Sequence, residues 1–167
     1  VELLNKQDAS YEFLGCEGNT LWFLTDLAAP RGRIVAIDTL KPDSITPVVP
    51  EAVEKLQDVG LVGERFIASY LKDAHSIVRL FELSGKPAGE IPLLGLGTAS
   101  GFHGKRKDTE TFYSYVSFTE PPAVYRYDVK TGQSTCSSAP RLISIRRSSP
   151  LSRFFIQARM GRKSRCS

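Results

Sequence analysis

Three similar units follow one another along this chain, spaced by about 45 residues, and a repeat of that length restricts the fold more than any single motif does. Each unit opens with a short apolar strand ending in glycine: Phe13-Leu14-Gly15, Leu61-Val62-Gly63 and Phe102-His103-Gly104. A second strand follows a polar turn: Leu21–Leu24, Phe66–Tyr70 and Thr111–Tyr115. A third returns at Ile34–Ile37, Ile77–Phe81 and Val124–Tyr127, and a weaker fourth lies around Thr46–Val49, Ala88–Leu93 and Gln133–Cys136. Strands rich in Val, Ile, Phe and Tyr, separated by Gly, Pro and Asp, read as antiparallel meanders. A four-stranded sheet of this kind buries its two faces only by stacking on its neighbours. The expected fold is all-β: about three four-stranded antiparallel blades of a β-propeller, an incomplete ring, with an irregular C-terminal tail.

The alternation within strands agrees with stacking on both sides. In Thr111–Phe118, Phe112 and Ser114 share one face while Tyr113, Tyr115 and Ser117 share the other. In Ile77–Leu83, Ile77, Arg79, Phe81 and Leu83 oppose Val78, Leu80 and Glu82, so neither face is wholly polar. Turn chemistry at Lys41-Pro42-Asp43, Ser84-Gly85-Lys86-Pro87 and Lys130-Thr131-Gly132 closes the last hairpin of each unit. Glu51–Gln57 has the residues for one helical turn but follows Pro50, and is read as the connection into the second unit.

The net charge of +4 misrepresents the body of the chain. From Arg141 onward there are eight Lys or Arg and no carboxylate, which leaves residues 1–140 with 14 basic and 18 acidic side chains. The basicity belongs to the tail, so a folded nucleic-acid-binding face is not expected. No apolar run reaches the length of a membrane span, and no basic-then-apolar leader opens the sequence. Cys16, Cys136 and Cys166 form no CxxC pair, so zinc and redox motifs find no support.

Few residues invite a catalytic reading. His75 and His103 lack a second histidine at ligand spacing, and each is read as a polar turn residue. Gly97-Thr98-Ala99-Ser100-Gly101 superficially suggests a nucleophile elbow, but its hydroxyl is misplaced and it precedes a strand; it is read as the loop between blades. Asp108 and Glu110 alternate with Lys105, Arg106 and Lys107, the pattern of a solvated turn. Trp22, the sole tryptophan, sits between Leu21 and Phe23 and is assigned to the core. The expectation is therefore a scaffold with no catalytic, cofactor-binding or metal-binding residue.

Longer runs carry a more specific resemblance. Leu24-Thr25-Asp26-Leu27-Ala28-Ala29-Pro30-Arg31-Gly32-Arg33 leading into Ile34–Asp38, then Tyr70-Leu71-Lys72-Asp73-Ala74-His75, then Lys107–Tyr113 continued by Ser117-Phe118 and Tyr125–Asp128, together resemble the prolyl oligopeptidase family of serine peptidases. The resemblance covers about residues 1–140 and implies the C-terminal part of a seven-bladed propeller. In that family the propeller caps an α/β-hydrolase domain, admits short proline-containing peptides and excludes folded proteins. A Ser-Asp-His triad in the hydrolase domain cleaves after proline. None of the triad maps onto this chain, which by itself is expected to be inactive. The implied partners are short proline-containing peptides, the hydrolase domain and the remaining blades, with no nucleic acid and no membrane. The compartment is left open by the resemblance: cytoplasmic or, for an exported bacterial parent, periplasmic.

Residues 141–167 depart from the family. Permitted codons from Gln157 onward, re-cut in another phase, spell a strand like the one that leads into the hydrolase domain, and the same cut through Leu142–Arg146 spells Asp-Phe-Asp-Pro. The expected explanation is a slip of reading frame between about Ser134 and Arg141, leaving a frame-slipped or disordered tail. The alternative function is a stand-alone β-propeller-like protein-interaction module, since a fold does not dictate a function.

Overall fold

The computed structural model describes residues 9–119 and 121–138; the expectations for residues 141–167 lie outside that range. Twelve strands form three separate four-stranded antiparallel meanders. The first sheet comprises β1 (Tyr11–Glu17), β2 (Thr20–Thr25), β3 (Arg33–Asp38) and β4 (Lys41–Val49). The second comprises β5 (Lys55–Val62), β6 (Arg65–Lys72), β7 (His75–Glu82) and β8 (Pro87–Ile91). The third comprises β9 (Gly97–His103), β10 (Glu110–Ser117), β11 (Ala123–Asp128) and β12 (Gln133–Ser138). The three-blade, all-strand architecture read from the repeat is the one observed.

The sheets stack face to face, with the second in the middle. Trp22, Ile34 and Val49 of the first sheet meet Leu56, Val59, Leu61, Phe66, Tyr70 and Phe81 of the second. On its other face, Val62, Ile67, Val78, Leu80 and Ile91 meet Ala99, Phe102, Tyr113, Tyr115 and Tyr127 of the third. The alternation in β7 explains the division: Phe81 belongs to one core, while Val78 and Leu80 belong to the other. On the first sheet's far face, Phe23, Val35 and Ile37 form a smaller buried cluster with Tyr11, Leu21 and Ile45 around it.

Each sheet's first strand carries one β-bulge, between Phe13 and Gly15, between Leu56 and Asp58, and opposite Phe112/Tyr113 at Phe102. The pairing of the third with the last strand is also interrupted in every sheet, twice in the first (at Ile34/Val35 and Ile37/Asp38) and once each in the second (at Leu80/Phe81) and the third (at Val124/Tyr125). A bulge adds local right-handed twist to the strand that carries it.

The register corrects several boundaries. The expectation set Gly63 equivalent to Gly15, but Gly15 pairs with Trp22 and Gly60 pairs with Ile67, each two residues beyond the start of its second strand. Gly60 is therefore the true counterpart of Gly15. Its missing side chain has a structural reason: a Cβ there would collide with the backbone oxygen of Phe102 on the neighbouring sheet. Gly63 instead opens the β5–β6 turn at φ 60.

Gly97–Gly101 is not an inter-blade loop but most of β9. Glycine is depleted from ordinary strands, yet here the Tyr115 ring and the Val116 carbonyl occupy the space a side chain at Gly97 would take. His75 begins β7 rather than lying in the turn, because Asp73 and Ala74, both at positive φ, complete a two-residue hairpin. Lys41-Pro42-Asp43 belongs to β4, since Asp38 Oδ1 accepts the Leu40 N–H at 2.9 Å and closes the hairpin earlier. Pro42 and Pro47 are tolerated there because β4 is an edge strand. Glu51–Gln57 forms no helix: the connection runs irregularly from Pro50 to Glu54 and β5 begins at Lys55.

Candidate functional site

A meander alternates its connections between two ends. The β1–β2, β5–β6 and β9–β10 turns share one end, and three charged side chains meet there. Arg106, in the β9–β10 loop, donates from Nη2 to Glu17 Oε1 at 2.5 Å and from Nε to Glu64 Oε2 at 2.8 Å. Its Nη1 also donates to the carbonyl of Cys16 at 3.3 Å. The guanidinium carbon stands 5.8 Å from the centre of the Trp22 ring, within reach of a cation–π contact. Hydrogen bonds to Glu17 and then Glu64 hold Arg106 protonated above its ordinary range. One residue from the third sheet thus touches all three sheets.

The opposite end exposes several apolar side chains among charged ones such as Asp26, Arg31, Glu51, Lys72 and Asp73. Val53, Leu94, Leu96 and Phe118, all in connections at that end, are exposed, and Val116 nearby is partly so. An open hollow of about 370 Å³ lies there between Ala74, His75, Leu96, Val116 and Phe118. A larger cavity of about 580 Å³ lies between the first two sheets near their outer strands, lined by Val49, Pro50, Tyr70, Phe81 and Pro87. At its wall Arg79 donates to Glu54 at 3.0 Å and to Glu90 at 3.2 Å, with its guanidinium 5.0 Å from the Tyr70 ring centre. The hydrogen bond from Arg79 lowers the Glu54 carboxyl pKa, the same contact raises that of Arg79, and burial raises the Tyr70 phenol. The cavity sets one arginine, shared between two carboxylates, against an apolar wall, and no Ser, Cys or His lines it.

Of the residues weighed as candidate chemistry, His103, Asp108, Glu110, Ser100 and Trp22 each have a partner. His103 Nε2 lies 3.3 Å from Asp58 Oδ2, joining the second and third sheets. Asp108 Oδ2 accepts the Lys105 N–H at 2.7 Å and so closes its own loop. Glu110 pairs with Arg126 across the β10–β11 ladder at 3.4 Å. His103, Asp108 and Glu110 do border one open depression, but with the partners just named. Ser100 bonds Ser114 on the outward face of the third sheet. Trp22 is buried edge-on against Phe66, in the core as expected. Among the described residues, no group of three His, Cys, Asp or Glu is arranged to hold a metal, and no helix is long and apolar enough to cross a membrane.

Two features escaped the sequence reading. Arg106 was grouped with its neighbours as a solvated turn, and nothing in a linear text announces carboxylates 42 and 89 residues away. Gly60 was legible, since it stands at the repeat distance from Gly15, but the glycine nearer the turn drew the alignment.

Stacked, twisted four-stranded meanders joined by turns that alternate between two ends define a stretch of β-propeller. Residues 1–140 match the sequence model of the prolyl oligopeptidase N-terminal β-propeller domain, and the chain belongs to that family. The prolyl endopeptidase of Elizabethkingia meningoseptica is 31% identical over 144 residues, which is 85% of this chain and 20% of that protein. The prolyl oligopeptidase of Omphalotus olearius is 29% identical over 126 residues, 72% of this chain and 16% of that protein. Among solved structures, a prolyl endopeptidase described for its inter-domain dynamics superposes with a TM-score of 0.74 at 36% identity, over 80% of this chain and 20% of its own. Prolyl oligopeptidase B from Galerina marginata, bound to a 35mer hydrolysis and macrocyclization substrate, superposes with a TM-score of 0.73 at 25% identity, again over 80% of this chain and 20% of its own. The chain thus spans about a fifth of the length of these relatives. The match is to the enzymes' N-terminal propeller domain and specifies no particular blades, so it does not place the chain in the C-terminal part of the propeller.

Proposed function

We propose that this chain forms part of the propeller that controls admission to a serine endopeptidase of prolyl oligopeptidase type. The substrates are short proline-containing peptides. The bond-breaking groups belong to a hydrolase domain, and no residue described above contributes to them. The match of residues 1–140 to an N-terminal propeller domain carries this reading. The physical character of the two ends supports it. The exposed Val53, Leu94, Leu96 and Phe118 at one end suit docking against another folded domain, and the open face of the third sheet, with Phe112, Val116 and Val124 partly exposed, suits a further blade. Nucleic acid and membrane play no part in this reading.

Two measurements test it. The purified chain, incubated with a proline-containing chromogenic peptide, is expected to show no turnover; activity that survives removal of contaminating peptidases overturns the assignment. Residues 1–140 substituted for the matching segment of the Elizabethkingia meningoseptica enzyme are expected to preserve cleavage of short peptides and exclusion of folded proteins. A folded chimaera that digests both alike refutes the gating role. The frame slip proposed for residues 141–167 is tested by sequencing the DNA: an alternative phase with no open frame into a hydrolase domain disproves it.

A further inference from the structure

We propose that Arg106 is a salt-sensitive latch, holding the β1–β2 hairpin of the first sheet to the third sheet across the second. The inference concerns the joints between these sheets and does not depend on the peptidase reading.

Two kinds of joint hold the sheets together. Most of each interface is apolar and close-fitting. Gly15 lies against the Leu61 side chain, Gly60 lies against the Phe102 carbonyl, and Gly63 lies against Val129. Salt does not weaken such contacts. The Arg106 cluster is different in kind. It rests on charges whose carboxylates are open to water, with Glu17 56% and Glu64 55% exposed and the Arg106 side chain 26% exposed. Exposed charges are screened as ionic strength rises.

The cluster is also asymmetric. The Glu64 limb is reinforced by a backbone bond, the Glu64 N–H donating to the Arg106 carbonyl at 3.2 Å. The loop bearing Arg106 is itself closed by Asp108, through both its side chain and its backbone N–H. The second and third sheets therefore stay joined when the guanidinium lets go. The Glu17 limb has only the carboxylate and the Cys16 carbonyl, both reached from the guanidinium. Release thus frees the β1–β2 turn first. Trp22 lies beneath the same guanidinium and is the chain's single tryptophan, so the latch has a built-in optical reporter. Arg106 acts here as a positioning residue, through the turn it holds.

The test uses the full chain, with acrylamide quenching of Trp22 and amide hydrogen exchange read at about 0.1 M and about 1 M sodium chloride. In the unmodified protein, high salt is expected to raise quenching and to speed exchange at Glu17–Thr20 about threefold, leaving Gly60–Val62 unchanged. R106Q is expected to show the high-salt values already at low salt, with no further response. E17Q is expected to match R106Q at Glu17–Thr20, while E64Q moves that turn less. R106K retains the charge but loses the fork, and is expected to fall between. Equal behaviour of R106Q and the unmodified chain at both salt concentrations overturns the latch. Should R106Q fail to fold, a salt titration of the unmodified chain decides alone: constant Trp22 quenching and constant exchange at Glu17–Thr20 refute it.

Discussion

β6 and β10 occupy the same position, second in their sheets, yet they are buried in different ways. Five consecutive residues of β6, Phe66 to Tyr70, are buried. In β10, Thr111, Tyr113 and Tyr115 are buried while Phe112, Ser114 and Val116 face outward and are exposed. The backbones are alike; the difference is the number of neighbouring sheets. β6 lies between the first and third sheets, and each face closes a core. β10 closes one core, through the stack of Phe102 on Tyr113 and of Tyr113 on Tyr125, at ring separations of 4.5 and 5.3 Å. A blade's composition thus reflects the stack around it more than the sheet itself.

The sharpest way to break this comparison is Phe66→Ala. Phe66 is fully buried on the face toward the first sheet, where it meets Trp22. The loss is expected to be about 4 kcal/mol by urea unfolding. A cost as small as that of an exposed residue would mean that the first joint is loose.

Gly60→Ala tests the other joint. Its Cβ would meet a backbone oxygen, which cannot swing aside as a flexible side chain does. An expected destabilisation of about 3 kcal/mol, read from the same unfolding curves, follows from overpacking. No effect would show that the second and third sheets separate without cost.

Hydrogen exchange compares the sheets directly. The middle unit, Leu56–Leu93, is expected to be protected about tenfold more than either flanking unit, because it alone among the described sheets has another described sheet against each face. Equal protection in all three units would contradict the stacking argument.

Two smaller effects complete the series. Arg79 holds the Glu54 carboxyl pKa below its ordinary value. A depressed carboxylate pKa gives stability that is present above the unfolded pKa and lost as pH falls through the folded one. Stability is therefore expected to decline as pH drops below the ordinary glutamate range, and Glu54→Gln is expected to flatten that decline in thermal melts recorded against pH. A slope identical in the variant would show that the pair contributes nothing. Phe112→Ala, on the open face of the third sheet and 46% exposed, is expected to shift stability by no more than about 0.5 kcal/mol. A large loss in the isolated chain would mean that something already covers that face.

Much of the fold was legible because its signals are local. Thr111–Tyr115 and Ile77–Phe81 alternate within their own text, and Ser84-Gly85-Lys86-Pro87 marks its hairpin without help from elsewhere. Misreadings arose where local chemistry points the wrong way. Glycine argued for a loop at Gly97–Gly101, but the bulk of Tyr115 from the adjacent strand takes up the room. Proline argued for a turn at Lys41-Pro42-Asp43, but an edge strand has unpaired positions where proline does no harm. The candidate chemical residues were legible as separate side chains. Their partners were not, because Asp58 with His103 and Glu54 with Arg79 are set by hairpin register and sheet stacking.

The sequence by itself determined the repeat, the strands and the family, since period-two alternation, turn residues and long ordered runs are all properties of neighbouring positions. Only the tertiary structure decided that Gly60 lies against the Phe102 carbonyl, that the middle sheet packs against both of the others, and that Arg106 joins three hairpins. Those facts depend on how far apart the sheets stand when stacked, a distance set by packed side chains and close backbone contact across the interfaces.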